Sequence, residues 1–184
     1  LYSMQQPAPL PTQVLPPVGS YSVEGCPVLI ADRPRFAHRG VMLDTSRKFY
    51  PSAAILRTID GLAANRMNVL HWHVTDGESM PIESKLFPQL AKLGSFASPE
   101  GVYTQADVAK IVQYGLDRGV RVVVEFDMPS HNWAFSPALP HLFCNCSSAQ
   151  PLATEFWQDA FNPTLPELYE FLDAFIGEMS ALFP

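Results

Sequence analysis

The sequence has few cysteines, few charges and no long apolar run. Three cysteines in 184 residues, Cys26, Cys144 and Cys146, are too few for a disulfide-built scaffold. Their odd number leaves one to pair outside the chain or not at all. Cys144-Asn145-Cys146 is not the C-x-x-C of a thiol oxidoreductase. The longest apolar stretches are strand-length, such as residues 120–124 with Arg121 inside, far from the ~20 apolar residues of a membrane span. Charged residues make up 16% and the formal net charge is −6. Without clustered Lys and Arg the chain is not built for nucleic acid. A glycine-rich phosphate turn after a strand is missing, as is any internal repeat. The chain opens on Leu1 with no charged-then-apolar leader. A removed leader, or excision from something longer, would explain this, so it is no argument for the cytosol.

What is present is ordinary globular composition, 47% hydrophobic, and enough length for one domain. Residues 1–20 hold prolines at positions 7, 9, 11, 16 and 17. Each fixes φ and removes a donor, so residues 1–33 read as a linker and the edge of a preceding domain. Residues 20–30 are expected to form a short edge strand. From residue 34 to 184 the pattern alternates between strand and helix. Residues 40–43 are a short apolar run. Residues 51–66 carry Ile55, Leu56, Ile59, Leu62 and Ala63 at helical spacing, with Pro51 suited to a first turn. Residues 67–74 read as a strand. Thr104 and Asp107 form a capping-box pattern that opens a helix, and Gly119 is its expected stop. Residues 120–126 read as a strand buried on both faces. A loop follows to about residue 162, then a helix over 165–182. Three β-α units of this kind predict an α/β fold with a parallel sheet and helices outside.

Polar residues gather just past the C-terminal ends of these strands, where a (β/α)8 barrel keeps its active site. Arg39 and Asp44 flank the first strand, and a planar guanidinium suits sugar hydroxyls. His71 and His73 share one face of the second strand, which ends at Asp76. Glu125, Asp127 and His131 close the third. An Asp that accepts from a His fixes the ring's tautomer. Trp133 and Phe135 suit either a sugar-stacking wall or the core. Asn145-Cys146-Ser147 is a glycosylation sequon. With the cysteines it points to the secretory pathway, either lysosomal or extracellular.

Four segments together resemble the family-20 glycoside hydrolases, the β-N-acetylhexosaminidases. They are residues 35–47 (RFAHRGVMLDTSR), 68–76 (NVLHWHVTD), 81–85 (PIESK) and 118–131 (RGVRVVVEFDMPSH). The resemblance runs in order from about Ile30 to Pro184. It implies a (β/α)8 barrel, of which this chain supplies about the first three β-α units. It also implies removal of terminal β-linked N-acetylglucosamine or N-acetylgalactosamine with retention. In that family the substrate's own acetamido oxygen is the nucleophile, so no metal and no cofactor are implied. Carried over by position, Arg39, Asp76 and His131 would bind or line the sugar site, with His73, Glu125 and Asp127 supporting it. Two departures stand out: Gly77 replaces a second acid, and Ser130 replaces a glycine. The family's Asp-Glu pair lies at the end of strand 4. No Asp-Glu dipeptide occurs in this chain, so the pair is expected beyond Pro184 and the segment alone is expected to be inactive. The implied partners are a glycan, the remainder of the barrel as the same gene product or a second chain, and a homodimer.

Two other readings compete. His71 and His73 at i and i+2 would serve a metal-dependent barrel hydrolase, although such a site needs further ligands. A carbohydrate-binding protein that keeps the rim of the pocket without turnover is the second.

Overall fold

A computed structural model describes residues 24–25, 27, 29–144 and 160–183. By its contacts the chain divides into two units, Leu1–Arg35 and Phe36–Pro184. Of residues 20–30, where an edge strand is expected, residues 24, 25, 27, 29 and 30 are described and none of these lies in a strand; the others fall outside the described residues.

The second unit begins with β1 (Gly40–Asp44), followed by α1 (Ser52–Ala64), β2 (Val69–Thr75) and α2 (Gln89–Gly94). It continues with α3 (Gln105–Leu116), β3 (Arg121–Phe126), two 3-10 turns and α4 (Pro166–Ser180). The three strands are parallel, in the order β1-β2-β3. Chain order equals sheet order because each strand returns through a helical crossover to its neighbour, as in the early units of a barrel.

Local sequence explains the ends of these elements. Pro51 sits just before α1 in an extended conformation, one residue earlier than the first-turn position expected. Thr104 accepts from the Asp107 backbone N–H while Asp107 accepts from the Thr104 N–H, so the capping box is complete. Gly119, at φ 68°, carries the left-handed turn that leads from α3 into β3. The short helix α2 carries no periodic signal, and it was not expected.

The register places Leu70 beside Val41 and Val122, and Trp72 beside Leu43 and Val124. This face packs on the helices. Ile55, Ile59, Val108 and Ile111 are fully buried with Leu70 and Trp72. Phe135, Phe161, Phe171 and Phe175 add an aromatic cluster between the loop after β3 and α4, with ring centroids 5.6–6.4 Å apart. The opposite face differs from expectation at β3. Arg121 and Val123 are exposed, and Met42 and His71 beside Val123 are exposed too. That face points into the interior of a barrel, which only the remaining strands would close, so β3 is not buried on both sides.

One carboxylate on α4 fastens this layer. Glu178 accepts from Ser84 Oγ at 2.5 Å, the Lys85 N–H at 2.6 Å and Gln105 Nε2 at 2.7 Å. It thereby joins the segment after β2, the start of α3 and α4. Burial pushes this carboxyl up, but the Ser84, Lys85, Leu86 and Gln105 donors outweigh it and hold it below the ordinary carboxylate range. Glu178→Gln is expected to cost about 1–3 kcal/mol, because an amide must turn its NH2 toward these donors. A carboxyl whose pKa is lower in the folded state contributes fully above its unfolded pKa. That contribution fades as pH falls through the lower folded value. Melting curves should therefore separate wild type from variant at pH 7 and converge in acid; a gap that persists undiminished in acid would contradict this origin.

Candidate functional site

The strand ends bring several sequence-selected residues together. At the end of β1, Asp44 Oδ1 accepts from the N–H groups of Ser46 and Arg47, each at 3.0 Å. This turn aims the Arg47 side chain back over the sheet, where it meets Asp44 Oδ2 at 3.1 Å and Asp76 Oδ2 at 2.5 Å. The loops after β1 and β2 are locked by Trp72 Nε1 donating to Thr45 Oγ1 at 2.9 Å and Ser46 Oγ donating to the Ser79 carbonyl at 2.7 Å. A register irregularity between His73 and Thr75 re-aims the end of β2 beside this cluster.

Asp76 is the centre of the arrangement, at 2% exposure. Its Oδ1 accepts from the Gly77 N–H at 2.6 Å and faces His131 Nδ1 at 3.2 Å. Its Oδ2 takes Arg47 and also faces His73 Nε2 at 3.1 Å. An ionised carboxylate offers about four lone-pair sites; Gly77 and Arg47 donate to two of them, and the rings of His131 and His73 face the others. Burial pushes its pKa up, yet the Gly77 N–H, Arg47 and His131 together hold it below the usual range. Asp76 is therefore a fixed anion around which Gly77, Arg47, His131 and His73 are gathered.

The groups it holds are open to solvent. The Arg47 side chain is 48% exposed and that of His131 is 58% exposed. His131 is one of two non-glycine residues with positive φ among the described residues, at 59°. Such a conformation costs about 1–2 kcal/mol for an L-residue, and the bond to Asp76 compensates part of it. Ser130 is not among the positive-φ positions, so serine in place of glycine carries no backbone penalty there.

Glu125 lies on the same rim. Its Oε2 meets both His71 Nε2 and His73 Nδ1, the latter at 3.1 Å. Asp127 is half-buried beside His73 and Asp76 and has no protein donor among the described residues. His73, Asp76 and Asp127 offer atoms within 4.8 Å of one another, a spacing that a cation also allows. The arrangement favours hydrogen bonding instead. Arg47 already places its positive charge on Asp76, and both nitrogens of His73 face carboxylates.

Arg39 is not part of the cluster. It precedes β1, at the end of the sheet opposite Asp76, and its guanidinium donates to the carbonyls of Arg66, Phe36 and Ala37. Through Nε and Nη1 it fastens the chain at the foot of the barrel, away from the polar cluster at the rim. Arg47, within the same motif, occupies the position expected of it. The signal was available in the sequence: Asp44 and Arg47 lie past the strand, whereas Arg39 lies before it. Phe135 is core, and Trp133 is 42% exposed against Phe143. Cys144 Sγ lies 3.5 Å from the Phe161 carbonyl. Asn145, Cys146 and Cys26 fall outside the described residues.

Residues 36–184 match the model of the glycosyl hydrolase family 20 catalytic domain. The chain belongs to that family. Bovine β-hexosaminidase subunit alpha is 44% identical over 155 residues, which is 84% of this chain and 29% of that protein. The chitooligosaccharidolytic β-N-acetylglucosaminidase of Bombyx mori is 42% identical over 85% of this chain and 26% of its own length. Among solved structures, the family-20 exo-β-N-acetylglucosaminidase of Vibrio harveyi, in complex with N-acetylglucosamine, superposes with a TM-score of 0.72. Its identity is 32%, over 83% of this chain and 27% of its own. A mutant Streptomyces plicatus β-hexosaminidase, bound to the product N-acetylglucosamine, superposes with a TM-score of 0.70 at 35% identity, over 82% and 31% of the two chains. The three parallel β-α units are thus the first part of a (β/α)8 barrel, and the family-20 chain spans less than a third of each of these relatives. Among the described residues no helix is long and apolar enough to cross a membrane.

Proposed function

We propose that this chain supplies the first three β-α units of a β-N-acetylhexosaminidase and the hydroxyl-binding side of its sugar site. The complete protein removes terminal β-linked N-acetylglucosamine or N-acetylgalactosamine with retention. The observation that carries this reading is the convergence of Arg47 and His131, both exposed, on the buried Asp76 at the C-terminal ends of the strands. Arg47 offers the ring hydroxyls the N–H groups that Asp44, Asp76 and Glu78 leave open, and Asp127, beside His73 and Asp76, is an open acceptor. Asp76, His73 and Glu125 hold these groups without touching the sugar. The acid chemistry belongs to an Asp-Glu pair that this sequence does not contain, so the segment by itself turns nothing over. Residues 1–33 are the edge of a preceding domain. The remaining strands cover Met42, His71 and Val123, the complete enzyme pairs as a homodimer, and the protein resides in the secretory pathway, lysosomal or extracellular.

The test is hydrolysis of p-nitrophenyl N-acetyl-β-D-glucosaminide by the complete protein. Arg47→Ala is expected to lower kcat/KM by about a hundredfold or more, since it removes charged hydrogen bonds to substrate worth about 1.5–3 kcal/mol each. Arg39→Ala should lower the melting temperature and leave kcat/KM within about threefold, because it touches backbone only. A complete protein that binds N-acetylglucosamine without turnover would overturn the enzymatic reading. An Arg39 defect equal to that of Arg47 would overturn the assignment of the clamp.

A further inference from the structure

His73 sits between two carboxylates. Its Nδ1 is 3.1 Å from Glu125 Oε2, and its Nε2 is 3.1 Å from Asp76 Oδ2. The ring is 6% exposed, so water does not relieve an unfavourable contact on either side. A neutral imidazole has one N–H and one lone pair. Whichever tautomer it took, its lone pair would point at a carboxylate oxygen. With both carboxyls ionised, both contacts are attractive only when each ring nitrogen carries a proton. Glu125 is placed to sustain this: the same Oε2 also takes His71 Nε2, so one oxygen braces two rings on the barrel-facing side of β2. Asp127 lies beside both His73 and Asp76, and Asp44, Arg47, Glu78 and His131 are the other titratable groups around Asp76.

We propose that His73 is a positioning residue with protons on both ring nitrogens, braced on Glu125 through Nδ1 and fixing the carboxylate of Asp76 through Nε2. The inference rests on the reading of this site as a hexosaminidase sugar site. Asp76 in turn orients Arg47 and His131, so His73 governs substrate contacts that it never makes. The chain of contacts crosses from His71 and Glu125 on the inner face of the sheet to His131 on the rim.

Two amide substitutions separate the two halves of this role in the complete enzyme. A glutamine nitrogen reaches the place of Nε2 and keeps the donor to Asp76. An asparagine nitrogen reaches only the place of Nδ1 and keeps the donor to Glu125. His73→Asn is expected to lower kcat/KM by at least about tenfold, as expected for loss of a hydrogen bond to a charged group, while His73→Gln stays within about threefold of wild type. Equal losses in the two variants, or none in either, would overturn the proposal, since a packing role does not distinguish which amide nitrogen survives. Should neither variant fold, selective 15N-histidine labelling of the wild-type enzyme decides. Two N–H-bearing nitrogens on the His73 ring are expected, and one bare nitrogen would overturn the assignment. A wild-type enzyme without hydrolysis would sink the functional reading and leave the nitrogen spectrum to judge His73 separately.

Discussion

Asp76→Asn in the complete enzyme is expected to lower kcat/KM by about two to four orders of magnitude. The reason lies in what the carboxylate holds. Four protein groups converge on it, and two of them, Arg47 and His131, are the groups left facing solvent. An asparagine keeps the shape but loses the charge and turns an NH2 toward donors on one side. Each bond to a charged group is worth about 1.5–3 kcal/mol, and about 1.4 kcal/mol is a tenfold change in rate. Losing the equivalent of two such bonds gives the stated range. A double-mutant cycle with Arg47→Met checks the route. If Asp76 acts by holding Arg47, the two losses will be far from additive. Additive losses, or an Asp76→Asn enzyme within threefold of wild type, would show that Asp76 is not the organising anion.

The second large effect is on folding. Trp72→Ala is expected to lower stability by about 3–5 kcal/mol, the usual range for emptying the site of a buried aromatic. Trp72 is fully buried on the helix-facing side of β2, edge-on to Tyr103 at 5.1 Å and to Phe183 at 6.3 Å. It also donates to Thr45 Oγ1, at the turn that carries Arg47 over the sheet. For a unit of this size the loss corresponds to a fall of about 10 °C in the melting temperature. Tyr103, whose hydroxyl burial pushes up to about 12, donates to the Tyr50 carbonyl at 2.5 Å and stacks on Phe49, so it cannot collapse freely into the cavity. Thermal unfolding followed by near-ultraviolet circular dichroism is the measurement. Trp72→Phe should retain most of the stability and lose the bond to Thr45. If Trp72→Ala melted within 2–3 °C of wild type, by the same scaling as above, the tryptophan would not be the keystone of this layer.

Much of the fold was legible because it rests on local signals. Helical periodicity placed α1 and α3, the Thr104 and Asp107 pair marked the start of α3, and Gly119 marked the turn into β3. The alternation of strand and helix determined a parallel sheet, and the four motifs determined the family. The short helix α2 has no periodicity to read. The exposure of Val123 and Arg121 was also hidden, because an apolar run does not say which face will find a cover.

The sequence marked the polar residues that follow the strands, and at the ends of β2 and β3 these share a rim. The order of Arg39 and Arg47 about β1 says which end of the sheet each takes, but not what each meets there. Arg39 and Arg47 stand in one motif and have the same side chain. A parallel strand sends everything before it to one end of the sheet and everything after it to the other. Only the tertiary structure set Arg39 against backbone carbonyls at the foot and Arg47 on Asp76 at the rim. Only the tertiary structure decided that Asp76 is ringed by Gly77, Arg47, His131 and His73, that His73 lies between two carboxylates, and that Glu178 ties three segments together. Each of these is a matter of how many donors meet at one oxygen. That number depends on residues far apart in sequence, brought together when the strands align and the helices close over them.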